Sequence, residues 1–125
     1  MGRYLADADD AVFVGVMIET IEALEDIENI CATPGLDCVV IGANDLSGAM
    51  GVGTPAGGNH PDVQGAIDKI IDAALRNGKY LFFSTRDAKL AAVLAKKGVQ
   101  ILHVGSDVLA AVSYQTKLVA EIKAG

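Results

Sequence analysis

A chain of 125 residues has room for one domain around one modest core. Its formal net charge of −6 argues against a phosphate-backbone partner, so no nucleic acid is expected. No apolar run approaches the about 20 residues of a membrane-spanning helix. The polar, acidic stretch from Met1 to Asp10 does not resemble a secretory leader, so a cytoplasmic setting is expected.

The first structural signal is Ala11 to Ile18 (AVFVGVMI), a short apolar run rich in β-branched residues that predicts a buried strand. Thr20 offers a helix cap. Ile21, Leu24, Ile27 and Ile30 then recur every three residues opposite Glu22, Glu25, Asp26 and Glu28, predicting one amphipathic helix that Pro34-Gly35 stops. Asp37 to Gly42 is a second buried strand. A long loop is expected from Ala43 to His60, dense in glycine from Gly48 to Gly58. Pro61 opens a helix to about Asn77, with Val63, Ile67, Ile70, Ile71, Ala74 and Leu75 inward. Lys79 to Ser84 is a third strand. Ser84 or Thr85 caps a helix over residues 86–97, which Gly98 terminates. Val99 to Gly105 is a fourth strand, and Ser106-Asp107 starts a last helix reaching about Lys123.

Strict β-α alternation predicts an α/β fold with parallel strands and right-handed crossovers, as a single domain over residues 1–125. The scarcity of aromatic residues and the abundance of Ala, Val, Ile, Leu and Gly agree. Four βα units fit half of a (β/α)8 TIM barrel, completed by a homodimeric second copy or by a half supplied elsewhere. They also fit an open, flavodoxin-like sheet with helices on both faces. Cys31 and Cys38 lack a CxxC or metal-ligand spacing, so both are expected as buried thiols in a reducing compartment.

In parallel α/β folds, chemistry gathers just past the C-terminal ends of the strands. Glu19 and Asp45 fall there on neighbouring strands. Two carboxylates so placed repel unless a cation sits between them, which points to Mg²⁺ or Mn²⁺. The same positions also suit helix caps, and spacing leaves both readings open.

Four motifs carry a family resemblance across nearly the whole chain. V-M-I-E-T at Val16 to Thr20, G-A-N-D-L-S at Gly42 to Ser47, H-P-D-V-Q-G-A-I at His60 to Ile67 and V-G-S-D at Val104 to Asp107 resemble, in order and spacing, the C-terminal half of the HpcH/HpaI aldolases. The resemblance implies a divalent-metal-dependent lyase. Such an enzyme cleaves or condenses 4-hydroxy-2-oxo acids through a pyruvate enolate. It implies Glu19 and Asp45 as ligands of Mg²⁺ or Mn²⁺, with Co²⁺ also compatible. It implies that backbone N–H groups of Asn44 and Asp45 bind the pyruvate or 2-oxo acid carboxylate, within a substrate-binding turn that includes Gly42 and Ala43. Ala43 stands where the family has proline, and Met17 where some members have glutamine. The strands bearing the family's catalytic arginine and histidine have no counterpart here. A non-catalytic scaffold that retains metal or small-anion binding is therefore the alternative.

Other polar residues have plainer expectations. His60 reads as a cap or surface residue, and His103 as a buried, satisfied imidazole. Arg86 reads as a solvated residue paired with Asp87, and Asp107 with Ser106 as a cap.

Overall fold

The computed structural model describes residue 8, residues 11–53 and residues 60–125. Four strands, β1 (Gly15–Ile18), β2 (Cys38–Ile41), β3 (Tyr80–Thr85) and β4 (Ile101–Val104), form one sheet in the order β1-β2-β3-β4. All three neighbouring pairs are parallel. Because that order never reverses, same-handed crossovers bring their helices to one face. A flavodoxin-like sheet needs a reversal to clothe both faces, so this alternative does not hold.

The helices are α1 (Ile21–Glu25), α2 (Ile27–Ala32), α3 (Ala43–Ala49), α4 (Pro61–Arg76), α5 (Ala88–Lys96) and α6 (Asp107–Ala124). The core joins Ile18, Val39, Ile41, Leu81 and Phe83 from alternate strand positions to Ile27 and Cys31 of α2 and Leu46 of α3. From α4 come Val63, Ile67, Ile70 and Ile71, and from α5 Leu94. The inward stripe expected of α4 is present except for Leu75, which is 41% exposed. Gly98 ends α5 at a φ of +100°, a conformation that suits a residue without a β-carbon.

The other face is open. Met17 and Tyr80 are 54% and 52% exposed, and Ser84 and His103 are exposed beside them. The expected first strand is therefore only partly right. It starts at Gly15, and Val12, Phe13 and Val14 before it are exposed, with the Phe13 ring 5.7 Å from Tyr80.

Three other expectations change. The single helix after β1 is two, divided at Asp26, whose backbone ends α1 and begins α2. The expected loop from Ala43 begins as α3, because Leu46 lies in the core and anchors a helical turn. Residues 54–59 of the glycine-dense stretch, and most of Met1 to Asp10, lie outside the described residues. Asp87, not Ser84 or Thr85, caps α5, accepting from the N–H groups of Lys89 at 2.8 Å and Leu90 at 3.3 Å. No described helix is long and apolar enough to cross a membrane.

Ile67 is fully buried where α4 meets the sheet. Ile67→Ala leaves a cavity there and should cost about 2–5 kcal/mol. A urea unfolding curve checks this. An unchanged midpoint would mean that α4 is not docked as described.

Candidate functional site

The site is built from the first residues beyond the strands. Gly42 continues the β1–β2 ladder, its N–H donating to the Ile18 carbonyl at 3.0 Å. A β-carbon placed on Gly42 would lie 2.8 Å from Glu19 Cβ and 3.1 Å from Glu19 Oε2. The Glu19 side chain therefore lies against a bare α-carbon, and only glycine leaves room for it.

One residue further, α3 starts. Its first internal bond runs from the Leu46 N–H to the Gly42 carbonyl at 2.9 Å. The N–H groups of Ala43, Asn44 and Asp45 precede that bond and have no partner within the helix. Asn44 and Asp45 are exposed, whereas Ala43, Leu46 and Ser47 are buried. Ser47 Oγ donates to the Gly53 carbonyl at 2.8 Å, holding the start of the glycine-dense stretch. The six residues of G-A-N-D-L-S thus divide their work between clearance, exposed polar groups and anchorage.

Neither carboxylate acts as a cap. Thr20 Oγ1 caps α1, accepting from the Ala23 N–H at 3.2 Å, and Gly42 is the N-cap residue of α3 without a side-chain bond. Among the described residues Glu19 and Asp45 take part in no ion pair, and no group of three or more His, Cys, Asp or Glu gathers as a metal cluster.

An open cavity of about 480 Å³ lies along this edge. Gly42, Ala43, Asn44 and Asp45 line it from one side, and Ser84, Arg86, His103 and Ser106 from the other. Glu19 does not line it but adjoins Gly42, which does.

His103 differs from expectation. It is exposed on the open face, with Nδ1 2.9 Å from Ser84 Oγ and its ring stacked on Phe82 at 6.5 Å and 17°. The apolar run around it implied burial, but strand alternation turns His103 away from the core that Leu102 packs against. The register partner Ser84 was the missed signal, since both residues break an apolar pattern at matching positions. Arg86 makes no ion pair with Asp87, whose carboxylate is taken up by the cap of α5. His60 does cap α4, its Nδ1 accepting from the Asp62 N–H at 3.3 Å. Ser106 caps α6 through the Leu109 N–H at 3.2 Å, and Asp107 accepts from the Val108 N–H at 2.7 Å.

A parallel, unreversed set of βα units with polar groups past its strand ends is the architecture of half a barrel enzyme. Residues 3–113 match the sequence profile of the HpcH/HpaI aldolase/citrate lyase family, and the chain belongs to that family. It is 37% identical over 121 residues to a hydroxypyruvate/pyruvate aldolase of Cupriavidus necator, covering 96% of this chain and 44% of that protein. It is 39% identical over 106 residues to a 4-hydroxy-2-oxo-heptane-1,7-dioate aldolase of Klebsiella pneumoniae, covering 83% and 38%. The crystal structure of an HpcH/HpaI aldolase from Desulfitobacterium hafniense superposes with a TM-score of 0.87 at 33% identity, covering 98% of this chain and 47% of that one. The chain therefore spans less than half the length of these relatives, and the half-barrel expectation holds.

Cys31 and Cys38 are buried and free, as expected. Burial pushes both thiols above their ordinary range, aided at Cys31 by Glu28 and at Cys38 by Asp37. A raised pKa leaves less thiolate near neutral pH. Iodoacetamide should therefore label the native chain far more slowly than the urea-unfolded chain, with the contrast persisting to mildly alkaline pH. Equal rates would contradict the burial.

Proposed function

We propose that this chain is the metal- and oxo-acid-binding half of a lyase that breaks or forms the C3–C4 bond of 4-hydroxy-2-oxo acids, with pyruvate as the common three-carbon partner. One observation carries this reading. Two carboxylates, which among the described residues serve in no cap and no ion pair, are brought to the C-terminal edge around Gly42, whose missing side chain leaves space for one of them.

An all-oxygen donor pair suits a hard divalent cation, so Glu19 and Asp45 hold Mg²⁺ or Mn²⁺, with Co²⁺ tolerated. When bound, that cation supplies positive charge against the oxyanion that develops as the carbon–carbon bond breaks. The unpaired N–H groups of Asn44 and Asp45 receive the substrate carboxylate, and Gly42 and Ala43 form the floor of that turn. Family resemblance puts the catalytic arginine and histidine on strands beyond this half, so turnover belongs to a completed barrel. The alternative, a scaffold without turnover, shares the binding step and differs only in lacking cleavage.

Calorimetric titration of oxalate, which mimics the pyruvate enolate, tests the site. Binding should require Mn²⁺. Glu19→Gln should weaken it at least about tenfold, a loss of about 1.4 kcal/mol. Gly42→Ala should do the same by displacing Glu19, and should also lower the urea midpoint because the added β-carbon crowds Glu19 Cβ and the Ile18 carbonyl. Oxalate binding that ignores Mn²⁺ or Glu19 would defeat the metal reading.

We infer also that the open face and the bare edges of β1 and β4 are covered in the working protein by four further βα units, from a second copy or from an N-terminal half. The exposed apolar residues Phe13, Met17 and Tyr80, and the length shortfall against relatives, support this. Sedimentation separates the two sources. Self-association that Met17→Lys abolishes identifies a second copy; a monomer at all concentrations points to a separate half.

A further inference from the structure

The two edges of the sheet are staggered. Ile18, Ile41, Phe83 and Leu102 share one register row. β1 begins at Gly15, level with Tyr80, whereas β4 begins two rows later at Ile101, level with Phe82 and Met17. The β1 edge reaches the other way. Ahead of Gly15, the Val14 carbonyl accepts from the N–H groups of Asp37 at 2.9 Å and Cys38 at 3.0 Å, so the chain already runs beside β2 there. Val12, Phe13 and Val14 are exposed at this edge, and Val104 is 60% exposed at the other.

A closed barrel of eight parallel strands has a shear of about 8 residues, so each four-stranded half contributes about 4. The stagger of this sheet sets the direction of that offset. Carried to a second copy, an offset of about 4 moves the neighbour of Leu102 from the level of Ile18 back to Val14. The residues of β4 then meet the first strand of that copy in order: Ile101 beside Phe13, Leu102 beside Val14, His103 beside Gly15 and Val104 beside Val16. Three of these pairs are apolar on both sides. The fourth sets the one polar residue of β4 against the one residue without a side chain. This chain's own fold does not explain that glycine: its φ is not positive, and a β-carbon on it would meet nothing closer than Cys38 Cβ at 3.6 Å. Glycine within a strand marks close approach by another group, which His103 of a second copy supplies. An offset two residues shorter or longer would set His103 against Met17 or Phe13 instead.

We propose that a second copy of this chain closes the barrel, β4 of each copy lying beside β1 of the other at this offset, with Gly15 receiving His103 of the second copy. The proposal rests on the inference above that further βα units cover the bare edges, and it names both the occupant and the seam. Each copy presents one β1 edge and one β4 edge, so two copies form two identical seams and leave no edge bare. The closed mouth then holds two Glu19–Asp45 pairs, one from each copy. The seam itself rests on strand pairing and apolar packing and needs no metal.

Cross-linking between two variants of the full chain tests the seam. Phe13→Cys and isotopically labelled Ile101→Cys are mixed in urea, refolded together and treated with a short bis-methanethiosulfonate. Native Cys31 and Cys38 are buried, and the unsubstituted chain controls for them. The expected product is a labelled–unlabelled dimer joined between residues 13 and 101, absent from either variant alone. Met17→Cys mixed with Ile101→Cys, the pairing without offset, should give far less. Gly15→Val should weaken self-association in sedimentation at least about tenfold, and His103→Ala in the same chain should restore it. A link from 17 to 101 in place of 13 to 101, a dimer in which neither pair links, or a double variant no better than Gly15→Val would overturn the seam. A chain that is monomeric at all concentrations would overturn the second copy and leave a separate half as the occupant. Loss of Mn²⁺-dependent oxalate binding with the 13–101 link intact defeats the metal reading alone, and the reverse defeats the seam alone.

Discussion

The Glu19 side chain rests on the Gly42 backbone, and that close approach governs the rest of the site. A β-carbon at residue 42 would come to 2.8 Å of Glu19 Cβ, closer than such atoms ever sit. The contact exists because β1 and β2 are parallel and in a register that sets residue 19 beside residue 42. The register in turn depends on Ile18 and Ile41, both buried on the core face, since a slip by one residue would send every side chain to the opposite face. A carboxylate at the functional edge is thus held by hydrophobic packing on the other side of the sheet.

The same packing explains the asymmetry of the molecule. β1, β2 and β3 give Ile18, Val39, Ile41, Leu81 and Phe83 to the core on the face covered by α2, α4 and α5, while Met17, Tyr80, Ser84 and His103 meet solvent. In α6 no residue is buried, and Val108, Val112, Tyr114 and Ile122 are exposed along it. Apolar surface on this scale is costly in water and marks contact with something else. The solved relative from Desulfitobacterium hafniense is about twice as long as this chain. Its extra length is of the size that an open sheet face and two bare edges require.

Strand alternation, the helix stops and the family motifs were legible because each depends on local pattern. The stripe of Val63, Ile67, Ile70 and Ile71 defines α4 without tertiary knowledge, and G-A-N-D-L-S names its own neighbourhood. What escaped was whatever depends on which face a strand shows. His103 sits in an apolar run that reads as buried on both sides, yet only alternate residues of that run reach the core. Residues 43–49 look like loop because their glycine and polar content is high, and the buried Ala43, Leu46 and Ser47 tie them into a helix. Arg86 and Asp87 are adjacent and opposite in charge, which invites pairing, but the cap of α5 competes for the carboxylate and wins through two N–H donors.

These displaced expectations converge on one region. Once His103 is turned to the open face and Asp87 is committed to α5, the β3–β4 end of the cavity holds a fixed imidazole and a guanidinium that forms no ion pair among the described residues. The β1–β2 end holds two carboxylates that, among the described residues, are likewise in no ion pair. Among the described residues no ion pair joins the two ends. The apolar register row of Met17, Val40, Phe82 and Ile101 beneath them offers neither end a competing polar partner.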